Sequence, residues 1–339
     1  MKAPIVVKLG SALVVDARGR PRRKALREVA AELEAVRRDG TPVCVVSSGA
    51  IALGARRAAL DPKRLPLARL QAASALGQAS LQRAWQDAFT PFGVRAAQVL
   101  LTAAEITDRK AYVNVRNALR ALFALGAIPI LNENDATSTD EITFGDNDAL
   151  AAQVAVLLRA RQLLLLTSVE GVLTEPGAGV IADGVDARDA VLGAGSTLGR
   201  GGMSSKINAA ELAAEGGVPS VIASLDALPR LLRGEPAGTS FAARPVRLSA
   251  FGLWLRYGPP PTAALEIDAG AARALVESGK SLLAVGVVGW SRKFRLGDCV
   301  DVVADGRPVA RGVSSVDSDQ IVGRPAGVEV IHRDRLVLL

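Results

Sequence analysis

The chain has 339 residues, 49% of them apolar, and a formal net charge of +7. That length points to two domains, or one large domain with an appendage, and no apolar run reaches the ~20 residues of a membrane span. The opening MKAPIVVKLGSALVVD is interrupted by Lys8 and Gly10 and lacks the pattern of a secretory leader, so a cytoplasmic protein is expected. Cys44 and Cys299 stand far apart in apolar runs and are expected to be reduced core residues. The charge excess lies wholly before Gly258, because ten basic and ten acidic residues follow from there. The C-terminal part therefore offers no broad electrostatic footprint for nucleic acid. Only eight of the 41 basic residues are lysines. Lys8 and Lys206 invite a reason, since an ammonium is a compact charge that can approach phosphate oxygens closely.

In chain order, IVVKLG (5–10) reads as a buried strand and 22–39 as a helix ended by Gly40. Then come a strand-like run at 43–50, a long helical region at 66–89 and a strand at 95–102. A helix over 105–125 stops at Gly126, and IPILNEND (128–135) is again strand-like. Helix 147–160 precedes LLLLTS (163–168), and helix 203–215 precedes VPSVIAS (218–224). Strands apolar on both faces, alternating with helices, predict an α/β fold with a mainly parallel central sheet sandwiched by helices. A glycine-containing loop region, 174–201, divides the last strands. GPPPT (258–262) cannot continue a helix. After it, a helical stretch at 270–278 and several short strands, with a tight Asp305-Gly306 hairpin, predict a small β-rich module. The expected division is 1–257, a linker at 258–261, and 262–339.

Several chemistries are disfavoured at once. The only histidine is His332, so a Ser/His/Asp hydrolase is not expected. No Cys/His cluster has metal-ligand spacing, and there is neither a P-loop nor a G-x-G-x-x-G after the first strand. The remaining signals concern anions. KLGSA (8–12) and SSGA (47–50) follow strands, and GRGGMSSK (199–206) is a glycine-rich loop opening a helix, with Lys206 one turn inside. Small residues and helix N-termini bring backbone N–H groups to charged oxygens.

FGDNDAL (144–150) carries Asp146, Asn147 and Asp148 at the mouth of an apolar helix. Asp146 reads as an N-cap, but a cap needs only one acidic residue. Asp148 is then free to stand between two lysines and hold them in place. Asn132, Glu133, Asn134 and Asp135 close the preceding strand, a mixture of amides and carboxylates suited to a zwitterion. Together these features suggest phosphoryl transfer to a nucleophile that needs no base, such as a carboxylate.

VVKLGSALV, VVSSGAIALG, LNENDATST, FGDNDALAA, LLLLTSVEGVLT and GRGGMSSKINAA occur in order and resemble the amino-acid kinase family. LTAAEITDRKAYVNVRNAL and VIHRD extend the resemblance over nearly the whole chain, and 262–339 resembles the PUA module of its longer members. The resemblance implies transfer from ATP, with Mg²⁺, to the γ-carboxylate of L-glutamate, the first step towards proline. By motif it makes Lys8 and Lys206 phosphate-stabilising and Asp148 their organiser. It gives Ser48, Gly49, Ala50, Asn134, Asp135, Asp146 and Asn147 to the substrate. To the nucleotide it gives Lys8, Gly10, Thr167, Ser168, Arg200, Gly201, Gly202, Met203, Ser204, Ser205 and Lys206. No protein metal ligand is assigned. Inhibition by proline and a homo-oligomer, a dimer or tetramer, are also implied. Three residues depart from the pattern: Ser168 stands where aspartate is usual, Thr143 where lysine is common, and Arg200 where a small residue is. Aspartate, acetylglutamate or carbamate are the alternative acceptors, and an RNA-binding protein working through the PUA-like part is the alternative from another class.

Overall fold

Five consecutive apolar-lined positions, Ile5–Leu9 (β1), form a strand buried along its whole length, Lys8 included. The computed structural model describes residues 2–61, 65–102, 105, 109–137, 146–173, 179–187, 202–257 and 261–339. After β1 come α1 (Ser11–Val14), α2 (Arg23–Arg38), β2 (Val43–Ser47), α3 (Ala50–Arg57), α4 (Leu67–Phe89), β3 (Ala96–Leu101), α5 (Arg109–Ala124) and β4 (Ile128–Glu133). Then follow α6 (Asp146–Leu158), β5 (Gln162–Thr167), α7 (Met203–Glu215), β6 (Ser220–Ser224), α8 (Leu228–Leu232) and β7 (Thr239–Phe241). The seven strands lie in the order β3-β4-β2-β1-β5-β6-β7. All pair in parallel except β7, which runs antiparallel to β6.

The register aligns the carboxyl ends of the central strands. Leu9 is opposite Ser47 on one side and Leu166 on the other. The chain fills the sheet on the β2 side of β1 first, then crosses to β5. Strand β1 therefore marks the reversal of strand order, the place where open α/β sheets form their ligand crevice.

Each covering helix follows from its pattern. In α2, Leu26, Val29, Ala30 and Leu33 fall on one buried stripe. In α6, Leu150, Ala151, Ala152, Val154, Ala155, Leu157 and Leu158 are all buried, because the helix is enclosed by the sheet and by α7. Helix α3 lies between the 43–50 run and the 66–89 helical region, in a stretch to which the sequence pattern assigned no element. It packs on α4 through two glycines: a Cβ on Gly54 would lie 1.7 Å from Ala73 O, and one on Gly77 would lie 1.8 Å from Ala50 O. Only glycines permit backbones to cross this closely.

The compact units divide between Arg247 and Leu248, ten residues before the proline-rich joint. Helix α9 (Ala250–Tyr257), expected to close the first unit, packs with the second: Leu255 is buried with Val313 and Val337. The second unit adds β8 (Ala263–Ile267), α10 (Ala269–Val276), β9 (Leu282–Leu283), β10 (Val287–Trp290), β11 (Cys299–Ala304), β12 (Arg307–Val313), β13 (Glu329–Ile331) and β14 (Leu336–Leu338). Its main sheet runs β10-β8-β11-β12-β14. Asp305 (φ 50°) and Gly306 (φ 73°) make the expected tight turn between β11 and β12, two positive φ angles that a primed hairpin turn requires. Both cysteines are free thiols, Cys44 buried and Cys299 half-buried; burial pushes Cys44 up to about 12. Among the described residues no helix is long and apolar enough to cross a membrane. Thr143, Arg200, Gly201 and most of the 174–201 loop lie outside the described residues.

Candidate active site

The site grows from the carboxyl ends of β1, β2, β4 and β5. Strand β1 delivers Lys8, helix α6 delivers Asp148, and helix α7 delivers Lys206; all three side chains are almost wholly inaccessible to solvent. Lys8 Nζ lies 2.5 Å from Asp148 Oδ1, and Lys206 Nζ lies 3.1 Å from Asp148 Oδ2. One carboxylate thus bridges two ammonium groups. The Lys8 ammonium is held directly against Oδ1, a charge-assisted contact. Burial pushes the Lys8 ammonium below the usual lysine range; the Asp148 carboxylate opposes this, and the Lys206 charge adds to it. A second donation from Lys206 Nζ reaches Gly202 O at 3.2 Å, in the turn that opens α7. Gly202 has φ +73°, a left-handed conformation that glycine takes at no steric cost.

The flanking loops are shaped for close backbone approach. Gly49 precedes α3 at φ +119°, and a Cβ there would meet Val15 Cγ2 at 3.0 Å. A Cβ on Gly10 would sit 3.9 Å from Lys8 Nζ. Of the residues expected on the nucleotide side, Thr167 ends β5 half-buried and Ser168 is exposed just beyond it. Met203, Ser204 and Ser205 form the half-buried first turn of α7.

Opposite the lysines lies an uncharged network. Asn147 Nδ2 donates to Ser48 Oγ (3.0 Å) and to Asn132 Oδ1 (2.8 Å), while Asn147 Oδ1 accepts from Glu133 N (3.2 Å). Asn147 therefore ties α6 to the ends of β2 and β4. Asn134 is half-buried, its backbone N–H on Leu101 O. Asp135 is buried and accepts a hydrogen bond from Ser74 Oγ at 2.7 Å. Burial pushes its carboxyl above the usual range, only partly offset by Ser74, and no cation among the described residues pairs with it. Helix α6 begins at Asp146 itself, one residue before its expected start; nothing is described of the Asp146 side chain.

The sequence reading missed the residues behind this network. Asn132 Nδ2 donates to Gln78 Oε1 at 3.0 Å. Trp85 Nε1 donates to Ser47 Oγ at 2.9 Å, and Ser47 Oγ donates to Ser48 O at 3.1 Å. Ser74 and Gln78 are four apart on α4, so a polar pair on the inward stripe was a signal available in the pattern. His332 is remote from any such role: its Nδ1 accepts the Asp334 N–H at 3.1 Å in a turn of the second unit. Among the described residues no group of acidic, histidine or cysteine side chains could hold a metal ion by itself.

Two lysines drawn onto one buried aspartate at the strand-order reversal, beside a glycine turn opening a helix, form a centre that can meet phosphate oxygens, the chemistry of a kinase. Comparison with known proteins gives this centre its family. The model of the amino acid kinase family matches residues 3–224, and that of the PUA domain matches residues 263–333. The chain is 42% identical to proteins called glutamate 5-kinase from Burkholderia thailandensis and Burkholderia ambifaria, over 99% of this chain and 97% of each of those. Among solved structures, carbamate kinase from Giardia has a TM-score of 0.52 at 17% identity, covering 71% of this chain and 99% of that one. The same enzyme from Giardia lamblia bound to AMP-PNP gives 0.53 at 16% identity, with the same coverage. The chain belongs to the amino acid kinase family, as a kinase with a C-terminal PUA domain.

Proposed function

We propose that this kinase transfers the terminal phosphoryl group of ATP to the γ-carboxylate of L-glutamate, giving glutamyl 5-phosphate for proline synthesis. The observation that carries the reading is the convergence of Lys8 and Lys206 on Asp148. Two fixed ammonium groups can neutralise charge on the migrating phosphoryl group and on the departing diphosphate, and being held in advance they need no reorganisation at the moment of reaction. The attacking carboxylate is ionised at neutral pH, so no histidine base is required. Substrate contacts follow from the neighbouring groups. Asp135, buried beside Ser74 with no cation paired to it among the described residues, takes the α-ammonium. Ser48, Asn147 and the N–H groups at Gly49 and Ala50, which open α3, take the α-carboxylate. We assign Asn134 and Asp146 to the same substrate.

On the donor side, Gly10, Gly202 and the first turn of α7 approach the phosphates, with Thr167 and Ser168 beside the rest of the nucleotide. Mg²⁺ suits this site as an ion carried by the triphosphate, since both Asp148 oxygens already face lysines; when bound it shields phosphate charge. Proline shares the α-amino and α-carboxyl groups of glutamate, so it competes for the same pocket.

The deciding experiment measures ATP consumption with a panel of acidic amino acids, with and without proline, trapping any acyl phosphate as hydroxamate with hydroxylamine. Glutamate-dependent hydroxamate is expected. Turnover with aspartate, acetylglutamate or carbamate, and none with glutamate, would overturn the acceptor assignment.

A further inference from the structure

Helices α2, α3 and α4 bound a cleft of about 400 Å³ into which four arginines converge: Arg23, Arg56, Arg57 and Arg83. Ser80 lines it beside them. Only one carboxylate among the described residues pairs with these four, Asp87 on Arg23 at 2.8 Å. Arg57 Nη1 donates to Ser80 Oγ at 3.0 Å. Arg56 and Arg83 take no carboxylate among the described residues. Helix-dipole stabilisation accounts for Arg56 and Arg57, which lie in the last turn of α3. It does not account for Arg23, which opens α2 at the end where a cation is disfavoured, nor for Arg83 in the body of α4. All four arginines are exposed, and four like charges lining one cleft attract an anion.

The cleft is also built rather than incidental. Asp16 Oδ1 accepts the Arg18 and Arg20 N–H groups, each at 2.8 Å, closing a turn whose Gly19 has φ +70°. A Cβ on Gly19 would lie 2.9 Å from Arg56 Cβ, so only a glycine fits where this turn passes Arg56 and forms one wall of the cleft. The cleft lies at the carboxyl end of α3, about 12 Å by helical rise from the Gly49 end that borders the active site.

We propose that this cleft binds a small molecule carrying two or more linked phosphate groups, at a site separate from the phosphoryl-transfer centre. Guanidinium forks bind phosphate oxygens in pairs, and a phosphate chain presents enough charge to be gripped from three helices at once. The assignment does not depend on which amino acid the kinase phosphorylates. The test is calorimetric titration of the full chain with inorganic tripolyphosphate at physiological salt, beside an Arg56→Ser/Arg83→Ser double variant and the milder Arg83→Gln. Affinity is expected to fall at least tenfold in the double variant and severalfold in Arg83→Gln, with turnover unchanged. Titration with a nucleoside diphosphate identifies whether the natural ligand is a nucleotide ester or an inorganic chain: whichever binds more tightly through these arginines is the source. Equal affinity in wild type and both variants would overturn the proposal. So would tighter arginine-dependent binding of an RNA oligonucleotide than of either phosphate compound.

Discussion

The strand ends of the first unit and the surface of the second treat charge in opposite ways. In the first, the charges at the strand ends are inside: Asp148 is 1% exposed and its two lysines 3% and 7%. In the second, pairs such as Lys293–Asp319 and Arg324–Asp268 lie in solvent. Burying an ion costs several kcal/mol even after relaxation, so three buried together in one cluster point to a use beyond holding the chain together. Surface pairs contribute little to stability and tolerate change. The contrast separates residues kept for chemistry from residues that keep the surface wet.

The sharpest way to break this comparison is at Asp148. Asp148→Ala leaves two buried ammonium groups facing each other, and removing one partner from a buried charge cluster costs about 3–5 kcal/mol. Chemical denaturation should show that loss, together with near-complete loss of turnover. Lys8→Met and Lys206→Met should behave differently. Each leaves a neutral Lys–Asp pair and removes a like-charge repulsion, so the melting temperature holds or rises while turnover falls ~10²–10³-fold. A lysine variant with near-normal turnover would remove that lysine from the chemistry.

How far this division could be read from sequence depended on where each residue sits. Lys8 was conspicuous because a lysine inside IVVKL has no solvent face to reach. Asp148 was conspicuous because α6 is otherwise apolar on every side. The parallel sheet followed from runs apolar on both faces. Helix α3 was not legible: AIALGARR is short and interrupted by Gly54, and its order comes from the close crossing with α4, a tertiary contact with no local trace. Ser74 and Gln78 were missed for a related reason. They reach Asp135 and Asn132 from 61 and 54 residues away in the chain, and serine or glutamine in a helix usually signals only a wet face. Residues 250–257 were placed in the first unit by their position before the prolines, whereas Leu255 of helix α9 is buried with Val313 and Val337 of the second unit.

Asp135 offers a smaller and more discriminating test. Its folded carboxyl titrates above the ordinary aspartate value of 3.8. The protonated form is therefore favoured in the folded state, and the stability this gives is present below 3.8 and lost as pH rises through the folded value. Asp135→Asn keeps an acceptor for Ser74 and removes the buried charge. At neutral pH the unliganded variant should be more stable, by about 1–3 kcal/mol if the carboxylate is as poorly compensated as its surroundings indicate. The advantage should shrink to nothing in acid. The Michaelis constant for glutamate should rise at the same time. Unchanged stability across the pH range would mean that water or another group already satisfies Asp135.

The smallest effects should come from the second unit, and their order tests the contrast from its other side. Arg311 and Asp301 face each other across β11 and β12 with two hydrogen bonds, of 2.6 and 3.3 Å, and are only 15% and 16% exposed. Arg311→Met leaves Asp301 half-buried and alone, at a cost of about 1–3 kcal/mol, and turnover at temperatures below unfolding should not change. Lys293→Met removes a partner from a pair that is 81% and 72% exposed and should alter stability by less than about 0.5 kcal/mol. Burial alone would rank Arg311 with Lys8; what distinguishes them is turnover. If Arg311→Met abolished phosphoryl transfer in a protein that remained folded, burial of charge would no longer distinguish the two units, and the second would have to be given a direct part in the reaction.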